Sequence, residues 1–384
     1  RLRLSVEESR RIVADVRSRV RSHNAGRRMV EERVFGLLAE RSRQPIAPED
    51  LRDRIRRMEG VRYALEWMWP VLSASELLND LYSSRALIAS AAAGRLSDDE
   101  IDLLISPHHD DASERVWAFA DAPVLDEALV RLGARPGRRE SDVIRTYGHI
   151  LVDEAQDLSP MELRTLRRRS LGGSMTVVGD IAQATSPWAH DDWDEVLEAL
   201  PQRRPARRVE LRTGYRLPGP IMELAAQLLP LAAPGLAPPS SIRELGDEPV
   251  VERVDDFSGS SRFADVLVGA VRREVNAVGQ GSVAVVCADA WLERCERALT
   301  DAGVDFGRAT RHGLDEQVTV VVVRMVKGLE LDSVIVVEPA DILEADDRGP
   351  QALYVALTRA TRRLSLVHER PLPEVLLGSG GKRS

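Results

Sequence analysis

From residue 149 onward the chain alternates short β-branched runs with helical stretches, and few architectures accommodate that rhythm. HILV leads into PMELRTLRRR, and MTVVGD into DDWDEVLEAL. After a proline-rich connection at 233–249 the alternation resumes. EPVVERV is followed by a helix over Ser261 to Asn276, then SVAVVC, a helix over Trp291 to Ala302, VTVVVV, SVIVVEP, a helix containing LYVALTRATRR, and LSLVH. This pattern is the signature of an α/β fold, parallel sheets flanked by helices.

The first ~145 residues follow a different grammar, that of helices. Ser5 is placed to cap a helix whose apolar positions are Val6, Ile12, Val13, Val16 and Val20, with Asn24 and Gly26 as stop signals. RRMVEERVFGLLAERSR and the stretch after Pro48 read as further helices. Trp67, Trp69, Leu72, Leu77, Leu78 and Leu81 form a dense apolar face. SPHHDDASERVW interrupts with polar residues before WAFADAPVLDEALVRLG turns helical again. His108, His109, Asp110 and Asp111 read as a solvated loop, since no spaced partner completes a metal site.

A length of 384 residues exceeds what one core usually spans, so two or three domains are expected. Hydrophobic residues at 43% and charged residues at 30% describe a soluble globular chain. No apolar run approaches the ~18 residues that cross a bilayer, so no membrane partner is expected. The opening RLRLSVEESRR lacks the apolar core of a signal peptide and an initiator Met, and the chain is expected to begin partway through a longer protein. Only Cys287 and Cys295 occur, without a CxxC pair, which fits a reducing, cytoplasmic setting. A net charge of −8 argues against a general basic coat for nucleic acid. Local basic grooves remain available where arginines cluster, at 52–57, 164–169 and 203–208.

Residues 149–160 read HILVDEAQDLSP, an apolar run that ends on Asp153 and Glu154, with Asp157 just beyond. In open α/β sheets ligands collect beyond the carboxyl ends of strands. Adjacent carboxylates are costly without a positive partner. Hydrated Mg²⁺ is the natural one. Asp153 would hold the metal and Glu154 would act as general base toward a water. MTVVGDIAQ is a second such run, ending at Gly179 and Asp180 with an amide at Gln183 suited to a terminal phosphate. GYR at 214–216 and TRATRR at 358–363 supply arginines, whose planar forks pair with phosphate oxygens. Taken alone, these features also have ordinary structural readings: Ser159, Pro160 and Glu162 simply start a helix, and Arg216 alone is a surface arginine.

VDEAQD, VVGDIAQAT, LRTGYRLPGPI, VKGLELDSVIVVEP and YVALTRATRRLSLVH, in that order, resemble motifs II to VI of superfamily 1 helicases of the UvrD/Rep type. GDIAQATSPWAHDDW and WAFADAPVLDEALVRLG are most similar to the HelD branch, helicase IV-like motors that act on RNA polymerase. The likeness covers roughly residues 115–370. It implies P-loop NTPase, RecA-like domains using ATP and Mg²⁺. Asp153 would bind the metal and Glu154 would activate water. Gln183 would meet the γ-phosphate, with Asp180 supporting that corner. Arg216 and Arg359 would reach the phosphates from the second domain, while Gly328 and Glu330 would touch the nucleotide and couple it to closure. Residues 1–114 would be a mainly helical insertion or arm, 115–232 the later part of the first RecA-like domain, and 233–384 the second.

Three departures accompany the resemblance. The phosphate-cradling pattern GxxxxGK followed by Ser or Thr is missing, and GGKRS near the C-terminus has neither the spacing nor a following helix. The expectation is a C-terminal portion that does not hydrolyse ATP on its own. Ala184, Thr185 and Ser186 follow Gln183 where the family carries base-stacking aromatics; Trp188 and Trp193 are expected to pack in the core. Arg324 and Met325 replace a histidine-containing TxH pattern before KGLE. The favoured expectation is an ATP-driven, HelD-like motor acting on RNA polymerase or moving on DNA. The alternative is a non-hydrolysing RecA-like module that docks to RNA polymerase or DNA, and a third reading is a conventional DNA-repair helicase.

Overall fold

The computed structural model describes residues 2–137, 142–200, 205–254, 260–308 and 316–377, leaving aside the side chains of Ser260 and Ser261. Two arginines of the 203–208 cluster and the GGKRS stretch lie outside the described residues. The chain forms two compact units, Arg1–Gly148 with Arg164–Leu171, and His149–Leu163 with Gly172–Ser384. Among the described residues no helix is long and apolar enough to cross a membrane.

The first unit is helical: α1 (Val6–Arg19), α2 (Gly26–Glu40), α3 (Pro48–Ile55), α4 (Glu59–Met68), α5 (Ala74–Tyr82), α6 (Arg85–Ala92), α7 (Asp98–Leu104) and α8 (Ala122–Leu132). Ser5 caps α1 in a full capping box with Glu8. Two expectations need correction here. Asn24 and Gly26 do not stop α1, which ends at Arg19. Asn24 is instead buried, its amide nitrogen donating to the carbonyls of Leu72 (2.9 Å) and Gly133 (2.8 Å). Gly26 opens α2, and a Cβ there would stand 2.5 Å from the Trp69 ring. Nor do Trp67 and Trp69 share an apolar face. Two residues apart, they project from opposite sides of a helix. Trp69 is buried and stacked on His23 at 4.8 Å, whereas Trp67 is 76% exposed.

The second unit contains β1 (Ile150–Val152), α9 (Pro160–Arg169, which continues into the first unit), β2 (Met175–Val177), α10 (Trp193–Ala199), β3 (Thr213–Pro218), α11 (Gly219–Ala226), α12 (Leu229–Ala232), β4 (Ser240–Arg243), β5 (Val250–Arg253), α13 (Ser260–Val278), β6 (Val283–Cys287), α14 (Leu292–Asp301), β7 (Gly307–Arg308), β8 (Val318–Val322), β9 (Leu331–Val337), α15 (Pro339–Leu343), α16 (Gly349–Leu357) and β10 (Ala360–His368). Its main sheet is six-stranded, in the order β5-β10-β9-β6-β8-β7, with parallel pairings. Alternate residues of β6 feed two cores. Ala284 and Val286 face one with Ile221, Leu353 and Leu357; Val283, Val285 and Cys287 face the other with Phe263, Leu267 and Leu299. Cys287 and Cys295 are both free and buried.

The expected helix through LYVALTRATRR is shorter than read. It ends at Leu357, the Thr358 hydroxyl donates back to the carbonyls of Tyr354 and Val355, and Ala360 already pairs with Leu331 of β9. Apolar burial runs unbroken across the helix and the strand, so hydrophobicity alone hides the junction. The proline-rich connection also carries β4, paired in parallel with β3.

β1 and β2 form their own two-stranded parallel sheet. One of its faces is open, with Leu151 75% and Val178 45% exposed. A cavity of about 710 Å³ lies along β2, lined by Met175, Val177, Trp193, Leu197, Leu236 and Tyr354 among others. Because β8 and β9 both run parallel to β6, residues 323–330 travel from the carboxyl end of β8 to the amino end of β9. That path delivers them to the edge of the main sheet where β10 also begins.

Candidate functional site

The acids follow β1 directly. Asp153 is exposed, and its Oδ1 accepts the Glu154 backbone N–H at 2.9 Å. Glu154 adopts φ 50° and ψ 40°, a left-handed conformation that costs a non-glycine residue roughly 1 kcal/mol. The reversal starts a tight turn over Ala155–Asp157 and drives Gln156 fully into the interior. There Gln156 Nε2 donates to Glu154 Oε2 at 2.6 Å, and its Oε1 accepts the Asp180 N–H at 3.1 Å. Asp157 Oδ1 accepts the N–H groups of Thr185 and Ser186, each at 3.0 Å.

The end of β2 is built to meet this turn. A Cβ on Gly179 would lie 2.3 Å from Gln156 Oε1, so any other residue would push that amide aside. Asp180 caps the short turn Ile181–Gln183 through the Ala182 N–H at 3.0 Å and receives Gln183 Nε2 at 2.8 Å. With its nitrogen committed, Gln183 turns Oε1 toward Arg359, whose Nη2 donates at 2.7 Å.

Arg359 comes from the junction of α16 and β10 and is 4% exposed, its Nε donating to the Val355 carbonyl at 3.2 Å. Arg216 of β3 donates to Glu330 at 3.1 Å and to the Thr358 carbonyl at 2.5 Å. Burial, and then the neighbouring Arg216 charge, lower the Arg359 pKa to about 10, against the opposing pull of Glu154, Asp180 and Glu330. Burial, then Asp180, pushes the Tyr354 hydroxyl up. Gly328 sits at φ 81°, a turn that glycine makes without strain. Beside it Lys327 reaches Glu154 Oε2 at 3.3 Å, Asp157 Oδ2, and the Gln183 carbonyl at 2.7 Å.

Glu154, Asp180, Gln183 and Arg359 are thus joined in one hydrogen-bonded chain through Gln156, and Arg216 with Glu330 abuts it at Thr358. Asp153 touches this chain only through the Glu154 N–H, and Gly328 only through its chain neighbours. Gln156 and Lys327 were missed by sequence reasoning, and Asp157 was noticed without a role. For Gln156 the signal was an amide between acids just past a strand. Trp193 packs against the core, but Trp188 is 60% exposed, which corrects its expected burial. Its loop is pinned on both sides. The His190 N–H donates to the Gln156 carbonyl at 2.9 Å, and Arg348 donates to Asp191 and to the Ala189 carbonyl, each at 2.6 Å. Asp157 holds the loop's Thr185 and Ser186, so the exposed indole rides on a fixed base.

The donor set suits a magnesium nucleotide. The Arg216 charge disfavours that of Arg359, and an anion beside them would relieve it. The solvent-facing Asp153 carboxylate offers the hard oxygen that Mg²⁺ takes alongside its waters. Among the described residues no three His, Cys, Asp or Glu side chains gather as a metal cage.

Residues 292–368 match the viral superfamily 1 RNA helicase core domain, so this stretch is superfamily 1 helicase-like. No curated protein matches the chain. Among solved structures it is similar to the C-terminal domain of a possible DNA helicase from Lactobacillus plantarum WCFS1, at 25% identity and TM-score 0.34, over 42% of this chain and 92% of that one. It is also similar to Arterivirus nonstructural protein 10, a helicase solved with DNA, at 16% identity and TM-score 0.24, over 39% of this chain and 30% of that one. The Sulfolobus solfataricus SWI2/SNF2 ATPase core bound to double-stranded DNA gives 13% identity and TM-score 0.25, over 34% of this chain and 31% of that one.

Proposed function

We propose that the chain carries the water-activating and arginine groups of an ATP-driven superfamily 1 motor that works on DNA, of the UvrD type and closest to HelD, with RNA polymerase as the partner it acts on. The observation that supports this reading is the continuous chain from Glu154 through Gln156, Asp180 and Gln183 to Arg359, which joins acid, amide and guanidinium in one hydrogen-bonded network.

Bound magnesium would neutralise phosphate charge and orient the terminal group. Asp153 would hold it. Glu154 keeps Oε2 on Gln156 and Lys327, leaving Oε1 to take a proton from water. Gln183, its amide nitrogen fixed by Asp180, positions that water or the terminal phosphate. Arg216 and Arg359 answer the charge that develops on phosphate oxygens. Gly328 lets the 327–330 stretch turn tightly, so that Glu330 holds Arg216 while Lys327 holds Glu154.

Titration of the chain with a fluorescent ATP analogue and Mg²⁺ tests the reading. Arg216→Ala and Arg359→Ala should each weaken binding about tenfold or more, the loss of one charged contact to phosphate. Wild-type affinity in both variants, or no binding by the wild type, would overturn it. The chain alone is expected to bind without appreciable turnover; magnesium-dependent hydrolysis abolished by Glu154→Gln would refute that part. The HelD assignment predicts that RNA polymerase is retained on the immobilised chain, and that the protein unwinds duplex DNA weakly or not at all.

A further inference from the structure

We propose that Lys327 is the built-in counter-cation of the strand-end acids, and that the position demands an ammonium group and excludes a divalent cation while it is filled. The proposal takes the role of Glu154 from the nucleotide reading above; the cation competition is independent of it.

Of 53 lysines and arginines in the chain only Lys327 and Lys382 are lysines, leaving 51 arginines. Where nearly every other cation is a guanidinium, the one lysine among the described residues stands between Glu154 and Asp157. Its surroundings explain the choice. Nζ donates to Asp157 Oδ2 and to the carbonyl of Gln183, and Glu154 Oε2 is an ion-pair partner at 3.3 Å. An ammonium has three donors on one small atom, whereas the guanidinium is a wide planar fork matched to paired oxygens. Lys327 and Asp157 are only 17% and 19% exposed, so the attraction is poorly screened and either partner left alone would be a costly buried charge. Oδ1 of Asp157 is already used by two amides, which makes Lys327 the charge partner of that carboxylate.

The carboxylates of Glu154 and Asp157 therefore bind an ammonium or a divalent cation, and not both. Seating a divalent cation on Glu154 Oε2 requires withdrawal of Lys327, and the same short stretch carries Glu330, the partner of Arg216. The amino edge of β9 thus hands a cation to the acids and an anion to the arginine at once.

Electron paramagnetic titration with Mn²⁺ alone tests the proposal on wild type, K327M, K327R and the double variant K327M/E154Q. K327M should bind Mn²⁺ about tenfold or more tightly than wild type, as expected on removing a unit charge in close contact. K327R, which keeps the charge but fits the acceptors less well, should fall between wild type and K327M, and K327M/E154Q should lose the gain. A folded K327M with wild-type Mn²⁺ affinity overturns the proposal. Should K327M not fold, amine acylation of the wild type followed by mass spectrometry decides, with Lys382 as internal reference. Lys327 should react faster as Mn²⁺ rises; an unchanged ratio overturns the proposal. Failure to bind the ATP analogue would remove the nucleotide reading and leave the Mn²⁺ result standing.

Discussion

Two glutamates leave a parallel strand in the same left-handed backbone, Glu154 at φ 50° after β1 and Glu338 at φ 49° after β9. Their carboxylates meet opposite fates. Glu338 is 1% exposed and receives the N–H groups of Glu369 (2.9 Å) and Arg370 (3.2 Å), clamping the chain that leaves β10. The Glu154 side chain stays 49% exposed, held only by side chains, Gln156 and Lys327. The same backbone strain serves a joint in one place and, in the other, an accessible carboxylate, the base of the proposed function. Strained backbone marks a position that the surrounding structure insists upon; it takes exposure and exchangeable partners to mark one that does chemistry.

The sharpest way to break this contrast is Glu338→Ala. Two part-buried N–H groups lose their acceptor, at a cost of about 2 kcal/mol or more in denaturant unfolding; a loss below the scatter of surface substitutions would mean the clamp is not one. Next comes Gly179→Ala, where the new Cβ meets Gln156 Oε1 and forces it away from the Asp180 N–H. Stability should fall by about 2 kcal/mol, and affinity for the ATP analogue should fall with it. Intact binding in a destabilised protein would detach Gln156 from the site.

A subtler difference lies in pH. Burial raises the Glu338 pKa above the usual carboxylate range, despite the opposing backbone donors. The folded state then holds that proton more tightly than the unfolded chain. Its contribution to stability is complete below the unfolded carboxylate pKa and declines as pH rises through the raised folded value. The melting-temperature gap between wild type and Glu338→Ala should therefore narrow from acidic toward neutral pH, and a widening gap would reverse the assignment. The smallest effect is expected from Glu154→Gly. Relief of the left-handed backbone offsets the lost contacts, so stability should stay within about 1 kcal/mol of wild type. A loss as large as that of Glu338→Ala would erase the distinction between the two residues.

Much of this was legible in the residues. The alternation after 148 announced the parallel sheet because fully buried strands are continuously apolar, as VAVVC and VTVVV are. Strand-terminal acids and amides announced where the polar cluster forms. What stayed hidden was any pairing across distance. Nothing near Lys327 in the sequence says that Asp157 awaits it, and Gly179 reads as a turn glycine until Gln156 is seen beneath it. The end of α16 was misplaced for a different reason: a buried helix running into a buried strand changes geometry without changing hydrophobicity. The two tryptophans of EWMW looked alike in composition and part company only when helical rotation is applied.

The open face of β1 and β2 carries a practical consequence for anyone handling the protein. Leu151, and Val178 just past β2, are exposed beside a ribbon that among the described residues pairs with no further strand. Such a ribbon is a template for sideways growth between molecules. Light scattering should rise with concentration, and a charged residue in place of Leu151 should keep preparations monodisperse.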